Sequence, residues 1–128
     1  MILLDTHMWY WWADNSPKLS GRDRQFMDAA DELGVSVIPC WEIAKKIQVG
    51  KLELDRPVAE WLTWAAVLPK IRLLPVSLEI TVEACQLPGT FHRDPADELI
   101  VATARILNLP LLTADAKILA YPHVNLLT

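Results

Sequence analysis

The chain has 128 residues, 52% of them hydrophobic, and a formal net charge of −4. This length predicts one domain, residues 1–128, that buries enough surface to fold without a structural staple. The negative charge argues against simple electrostatic binding of nucleic acid, for which a basic face is expected. No apolar stretch approaches the roughly 18 residues of a membrane span, and the N-terminus lacks the basic segment of an export signal. We therefore expect a cytoplasmic protein with no membrane contact.

Short apolar runs bounded by Pro, Gly or Asp predict strands, and stretches with helical periodicity lie between them. The predicted strands cover 2–4, 34–38, 71–77, 109–113 and 123–127. The predicted helices cover 7–13, 20–33, 40–49, 57–68, 78–86 and 95–108. Strands that alternate with helices indicate a mostly parallel sheet covered on both sides. The predicted fold class is thus α/β, a three-layer α/β/α sandwich.

The segment "MWYWW", residues 8–12, concentrates large aromatic side chains in the first helix. Trp9 and Trp12 share a face at i, i+3 spacing, which favours packing in the core. Five large side chains in a row cannot all face inward on one helix, so we expect some of them to contact a partner. Cys40 and Cys85 have no metal-type spacing and are expected to be reduced core thiols.

The stretch "FHRDPADELIVATA", residues 91–104, places two aspartates at the start of an apolar helix. Asp94 fits the N-cap position and Pro95 fits N1, which makes Asp97 the N3 residue. Both carboxylates are favourable at the positive end of the helix dipole. Capping alone explains Asp94, whereas Asp97 gains a further interpretation from the other acids of the chain.

Four acidic residues, distant in sequence, are predicted to meet at one edge of the sheet. Ligands of such sheets bind beyond the carboxyl ends of the strands. Asp5 directly follows the first strand and Asp115 follows the fourth. Glu42 lies two residues into the predicted helix after the second strand, and Asp97 opens the helix before the fourth.

Four uncompensated carboxylates would repel one another and raise one another's pKa values, so the cluster requires a cation. An all-oxygen site suits Mg²⁺ or Mn²⁺, and the histidines lack the spacing of zinc ligands. Carboxylate-bound Mg²⁺ retains waters and binds phosphate oxygens, which is the chemistry of phosphodiester hydrolysis. Such ions also supply the positive potential that the net charge of the chain lacks.

Four segments, in order, carry a resemblance to a known family: "LLDTH", "CWEIAKK", "HRDPADELIVATARIL" and "LLTADAKI". Together they resemble the PIN domain of VapC-type toxins, the ribonuclease components of bacterial and archaeal toxin–antitoxin pairs. The resemblance extends from residue 3 to residue 118. It implies that Asp5, Glu42, Asp97 and Asp115 form an acidic tetrad that binds Mg²⁺ or Mn²⁺ and cleaves RNA. It also implies a homodimer that binds a VapB-type antitoxin.

Other residues near these motifs are candidates for supporting roles. By the resemblance, Thr113 matches a small hydroxyl residue that orients a ligand or a water. Asp94 is a candidate for orienting the metal ligands without binding the metal itself. Lys45, Lys46 and Arg93 are candidates for binding the RNA backbone. Pro39 departs from the family pattern, in which Ser or Thr commonly precedes the "WE" pair. Loss of that hydroxyl predicts loss of a helix cap and puts the level of activity in question.

Two alternatives remain beside the nuclease. A phosphorelay receiver domain has a similar size, but it needs an acidic pair after the first strand and an Asp after a central one; here Asp5 stands alone and "IRLLPVS" ends without an Asp. A PIN-like module that has lost catalysis and only binds or regulates a partner is the other alternative. His92 is a candidate general acid, but the sequence shows no fixed partner for it, which argues against that role.

Overall fold

A computed structural model describes residues 1–128 and contains one four-stranded sheet. All strand pairs are parallel, and the strand order is β3-β2-β1-β4. The first strand therefore lies inside the sheet, between the second strand and the last. The strands are β1 (Ile2–Leu4), β2 (Leu33–Ser36), β3 (Ile71–Leu74) and β4 (Leu111–Leu112).

Seven helices connect and follow these strands. They are α1 (Thr6–Ala13), α2 (Gly21–Ala29), α3 (Val37–Gln48), α4 (Val58–Ala66), α5 (Leu78–Ala84), α6 (Pro95–Ile106) and α7 (Ala116–Leu119). None of these helices is long and apolar enough to cross a membrane.

Apolar side chains fill both faces of the sheet. Within β1, Ile2 and Leu4 belong to one buried cluster and Leu3 to another, because successive side chains of a strand point to opposite faces. The first cluster includes side chains of α1, α3 and α4, and the second includes side chains of α6 and α7. This arrangement confirms the predicted three-layer α/β/α sandwich, and the sheet is parallel throughout.

The boundary between β2 and α3 differs from the prediction. The apolar pair Val37–Ile38 was expected to extend the strand, but α3 already begins at Val37. Ser36 ends the strand and caps the helix, since its hydroxyl accepts the Ile38 N–H at 3.1 Å. Pro39 therefore lies in the first turn of α3 rather than ahead of it, and the prediction that Pro39 removes the cap is wrong.

The end of the chain also differs from the prediction. The run at 123–127 is not a strand, and its contribution to the sheet is a single parallel bridge from Leu126 to Leu111. The four-residue helix α7, which the sequence pattern did not indicate, is capped by Asp115. Four residues are too few to show helical periodicity, so the cap is its main sequence signal.

The aromatic segment of α1 is largely a core element. Trp9 is fully buried, lies 5.6 Å from the Trp61 ring and donates its indole N–H to the Ala65 carbonyl at 3.2 Å. Trp12 is half-buried and packs against the same cluster. Tyr10, Trp11 and Trp12 are half-buried and keep part of their surface accessible, so the expectation that some of these side chains contact a partner stays a prediction. The exposed tryptophan is Trp41, at 57%.

Both cysteines are free, as predicted, but only one of them is near the core. Cys40 is half-buried against the larger apolar cluster. Cys85 is exposed at the C-terminal end of α5, so the prediction of a core thiol is wrong for this residue.

Candidate metal and active site

Asp5 is the most deeply buried acid of the site, with 5% of its surface exposed. It directly follows β1 and is the N-cap of α1, where its Oδ1 atom accepts the Met8 N–H at 3.0 Å. Its Oδ2 atom accepts a hydrogen bond from the Thr113 hydroxyl. The end of the first strand and the end of the last strand are thus joined through this carboxylate.

Glu42 reaches the same edge from α3. It is the sixth residue of that helix, not the third as predicted from a start at Cys40, because α3 begins at Val37. The side chain is half-buried, and its Oε1 atom accepts a hydrogen bond from the Thr6 hydroxyl. Thr6 immediately follows Asp5, so one turn of α1 orients two of the four acids.

The start of α6 places Asp94 and Asp97 as the sequence predicted. Asp94 is the N-cap, its Oδ1 atom accepts the Asp97 N–H at 3.1 Å, and Pro95 is the first helical residue. The capping role of Asp94 is therefore confirmed. The Asp97 side chain instead lies beside His92, with 2.6 Å between Oδ2 and the ring Nε2. His92 thus has a fixed partner that the sequence did not reveal.

Asp115 is the N-cap of α7 and lies three residues after β4. Its Oδ1 atom accepts the N–H groups of Lys117 and Ile118 at 2.8 and 3.3 Å. Its own N–H donates to the buried Thr113 hydroxyl oxygen at 3.0 Å. Thr113 therefore links Asp115 to Asp5.

The four predicted acids line one pocket of about 190 Å³ that has no hydrophobic lining residue; we call it the acidic pocket. Its lining residues are Asp5, Thr6, His7, Glu42, Lys46, Asp94, Asp97 and Asp115. Within it, no three His, Cys, Asp or Glu side chains are close enough together to hold one ion directly. The convergence predicted from the strand ends is present, and it has the form of a polar pocket rather than a closed cage.

Burial and mutual repulsion act on the acids of this pocket. Burial raises the pKa of Asp5 to about 6; its hydrogen bonds to Thr113 and Met8 oppose the rise, and the charges of Asp97 and Asp115 add to it. The pKa values of Glu42 and Asp97 are also raised, first by burial and then by neighbouring carboxylates. The pocket is therefore costly to keep fully ionised without a cation.

The stability of the metal-free protein should record the shifted pKa of Asp5. Because the folded-state pKa lies above the unfolded value, folding is favoured while this carboxyl is protonated, and that advantage is lost as pH rises through about 6. Relative to Asp5→Asn, we expect the unmodified protein to lose about 2 kcal/mol of unfolding free energy between about pH 4 and pH 7. Urea denaturation of both proteins in EDTA measures this difference. A difference that does not change with pH would contradict it.

The cations near the acidic pocket are arranged unequally. Lys46 borders the pocket, with its Nζ atom 3.5 Å from the His7 ring Nε2. Lys45 does not line the acidic pocket and donates to the Gln48 side chain at 2.8 Å. Arg93 is exposed beside Asp94 and belongs to none of the four ion pairs. Thr6 and His7 also border the pocket, although the sequence analysis did not predict them as site residues. Their position directly after Asp5, in the first turn after β1, could have indicated this.

The fold and the pocket define an α/β/α protein with a carboxylate site at the carboxyl edge of a parallel sheet. The family model of the PIN domain matches residues 2–124. A curated relative, Ribonuclease VapC22 of Mycobacterium tuberculosis, is 34% identical over 122 residues, which cover 95% of this chain and 92% of the relative. The chain belongs to the PIN domain family. The predicted resemblance to VapC-type PIN domains is confirmed. The alternative of a phosphorelay receiver domain is excluded.

Solved structures agree with this assignment at the level of the fold. A toxin–antitoxin complex from Klebsiella pneumoniae contains a chain that is 16% identical, with a TM-score of 0.69 and coverage of 100% of this chain and 97% of that one. The VapBC2 structure from Rickettsia felis, bound to a DNA fragment from its promoter, is 18% identical, also with a TM-score of 0.69, and covers 99% and 98%.

Proposed function

We propose that the protein is a metal-dependent endoribonuclease, the toxin of a VapBC-type toxin–antitoxin pair. The observation that carries this proposal is the acidic pocket, where four acids from distant parts of the chain line one polar cavity. The 34% identical relative is named a ribonuclease, which supports RNA as the substrate. A single PIN domain spanning residues 1–128 performs the reaction.

The donor set fits Mg²⁺ or Mn²⁺. Asp5, Glu42, Asp97 and Asp115 offer only oxygen atoms, which these hard ions prefer. Mg²⁺ is usually bound through one or two carboxylates and keeps several waters, so two of these acids are enough to bind it directly. When bound, the metal supplies charge neutralisation at the phosphate and a more acidic water.

The neighbouring side chains hold the acids in position. Thr113 fixes Asp5, Thr6 fixes Glu42 and His92 fixes Asp97, each through a hydrogen bond to a carboxylate oxygen. Such partners orient metal ligands, and their loss typically lowers metal affinity or activity by about 10- to 100-fold. Asp94 acts indirectly, because it caps the helix that carries Asp97. Lys45 and Arg93 contact the RNA backbone from the rim.

The partner is a VapB-type antitoxin, and the protein forms a homodimer in the cytoplasm. Two structural neighbours come from toxin–antitoxin complexes and share the fold over nearly the whole chain. This chain also exposes large apolar side chains, including Leu78, Val67 and Trp41, which supply surface for such contacts.

A PIN-like binding module without catalysis is the second candidate. The observation that favours it is the absence of a ready-made cluster of three ligands. Incubation of the purified, antitoxin-free protein with RNA separates the two functions. The nuclease should cleave RNA with Mg²⁺ or Mn²⁺ and stop when EDTA is added, while a mock purification shows no cleavage. A folded protein that cuts no RNA with either metal would favour the binding module.

A further inference from the structure

A second pocket adjoins the acidic pocket and is lined by cations. It has a volume of about 230 Å³, and we call it the lysine pocket. Three lysines from separate positions border it: Lys18 after α1, Lys46 on α3, and Lys51 just beyond the end of α3. Three of the 12 lysine and arginine residues of an acidic chain therefore meet at one concavity.

None of these lysines forms an ion pair with a carboxylate. The ion pairs with carboxylates involve Arg56, Arg72, Arg105 and one histidine, and none includes a lysine. Three lysines without an ion pair thus border one pocket, although the chain has 16 acidic residues. Cations gathered in a concave site repel one another and attract an anion from solution. The arrangement indicates an anionic ligand.

The position of the lysine pocket relates this ligand to the acidic pocket. Thr6, His7 and Lys46 border both pockets, so an anion in one is next to a phosphate in the other. The aromatic side chains of Tyr10 and Trp11 form part of the wall. Aromatic rings beside cations are the combination that binds single-stranded nucleic acid, because bases stack on the rings while the phosphates meet the charges. An acidic protein segment would use the lysines and leave the rings without a role.

We propose that the lysine pocket binds the nucleotide of single-stranded RNA next to the scissile phosphate. Lys18 and Lys51 bind its phosphate, and Trp11 contacts its base. This inference rests on the proposed ribonuclease function and adds a binding subsite to it. The metal alone neutralises charge at the reacting phosphate, whereas these lysines compensate the charge of the neighbouring one.

A charge-removal experiment tests the subsite. Lys18→Gln/Lys51→Gln removes two cations that border the lysine pocket but not the acidic pocket. Binding of a fluorescently labelled single-stranded RNA is measured by anisotropy in EDTA over a salt series. We expect weaker binding at low salt and a salt slope smaller by about 0.7, which is the contribution of one phosphate contact on single strands. With Mg²⁺, KM should rise while kcat stays unchanged.

Matched variants separate the subsite from general electrostatics and from a structural effect. Arg22→Gln/Arg24→Gln removes the same charge from α2, outside both pockets, and should keep the original salt slope. Trp11→Leu should weaken RNA binding without changing the salt slope. The anisotropy measurement does not depend on catalysis. Absence of cleavage by the unmodified protein would therefore refute the proposed function, while RNA binding to the lysine pocket could still be measured.

Three outcomes would overturn the subsite. The first is an unmodified protein that does not bind the RNA, and the second is an equal loss of affinity in both double variants. The third is a lysine variant that keeps its RNA affinity but no longer binds a poly-glutamate peptide. That result would make the pocket a site for an acidic protein segment.

Discussion

Asp5→Asn and Asp97→Asn should each lower metal-dependent RNA cleavage by at least about a hundredfold, because loss of residues that merely orient metal ligands already costs about 10- to 100-fold. The folded state should survive both changes. At Asp5, Asn keeps an oxygen for the Met8 N–H, and its amide can donate to the Thr113 hydroxyl oxygen. In EDTA both variants should be at least as stable as the unmodified protein, since each removes a repelling charge.

The comparison needs a control with the same chemical change elsewhere. Asp31→Asn alters an exposed residue between α2 and β2 that does not border the acidic pocket, and it should retain full cleavage. Initial rates on one RNA with Mg²⁺ and thermal melts in EDTA give both readouts. Full activity in Asp5→Asn and Asp97→Asn would refute the assignment of the acids.

Saturating Mg²⁺ or Mn²⁺ should raise the melting temperature of the unmodified protein by several degrees. A ligand that binds only the folded state stabilises it by about 2.7 kcal/mol at one hundred times its Kd. For a chain between about 100 and 150 residues, that free energy corresponds to a shift on the order of 10 °C. The effect should be large here because the ion also relieves the repulsion that raises the pKa values of Asp5, Glu42 and Asp97.

Sodium chloride of equal ionic strength is the control for screening, and it should produce a much smaller shift. Asp5→Asn should lose most of the metal-dependent shift because it lacks one of the proposed ligands. Differential scanning fluorimetry over a metal titration measures both. An unchanged melting temperature at high metal concentration would remove the support for a metal site.

The sequence predicted the fold through strong local patterns. The apolar strand β1 and the helix α6, with Asp94 and Pro95 at its start, lie where periodicity and capping place them. The start of α3 was missed because Val37 and Ile38 are β-branched residues that favour strands, while the capping hydroxyl of Ser36 ends the strand earlier. Local propensity cannot decide between the strand preference of Val37 and Ile38 and the helix cap at Ser36, because both signals apply to the same two residues.

The acids of the site were predictable because strand ends of a parallel sheet share one edge. Their hydrogen-bond partners were not. The Thr6 hydroxyl reaches Glu42 across 36 residues, and His92 bends back onto Asp97 through the coil that precedes α6. Neither contact follows a period of the sequence, since both depend on how helices pack and loops turn. The lysine pocket had no sequence signal for the same reason.

The position of β1 inside the sheet determines when, during synthesis, the acidic pocket can assemble. The Asp5 carboxylate is held by the hydroxyl of Thr113, 108 residues later, and β1 pairs with β4, which comes last of the four strands. During synthesis on the ribosome, the chain lacks this strand and its neighbouring acid until nearly all of these residues have emerged. A product that terminates before β4 therefore lacks Thr113 and Asp115 and cannot assemble the acidic pocket.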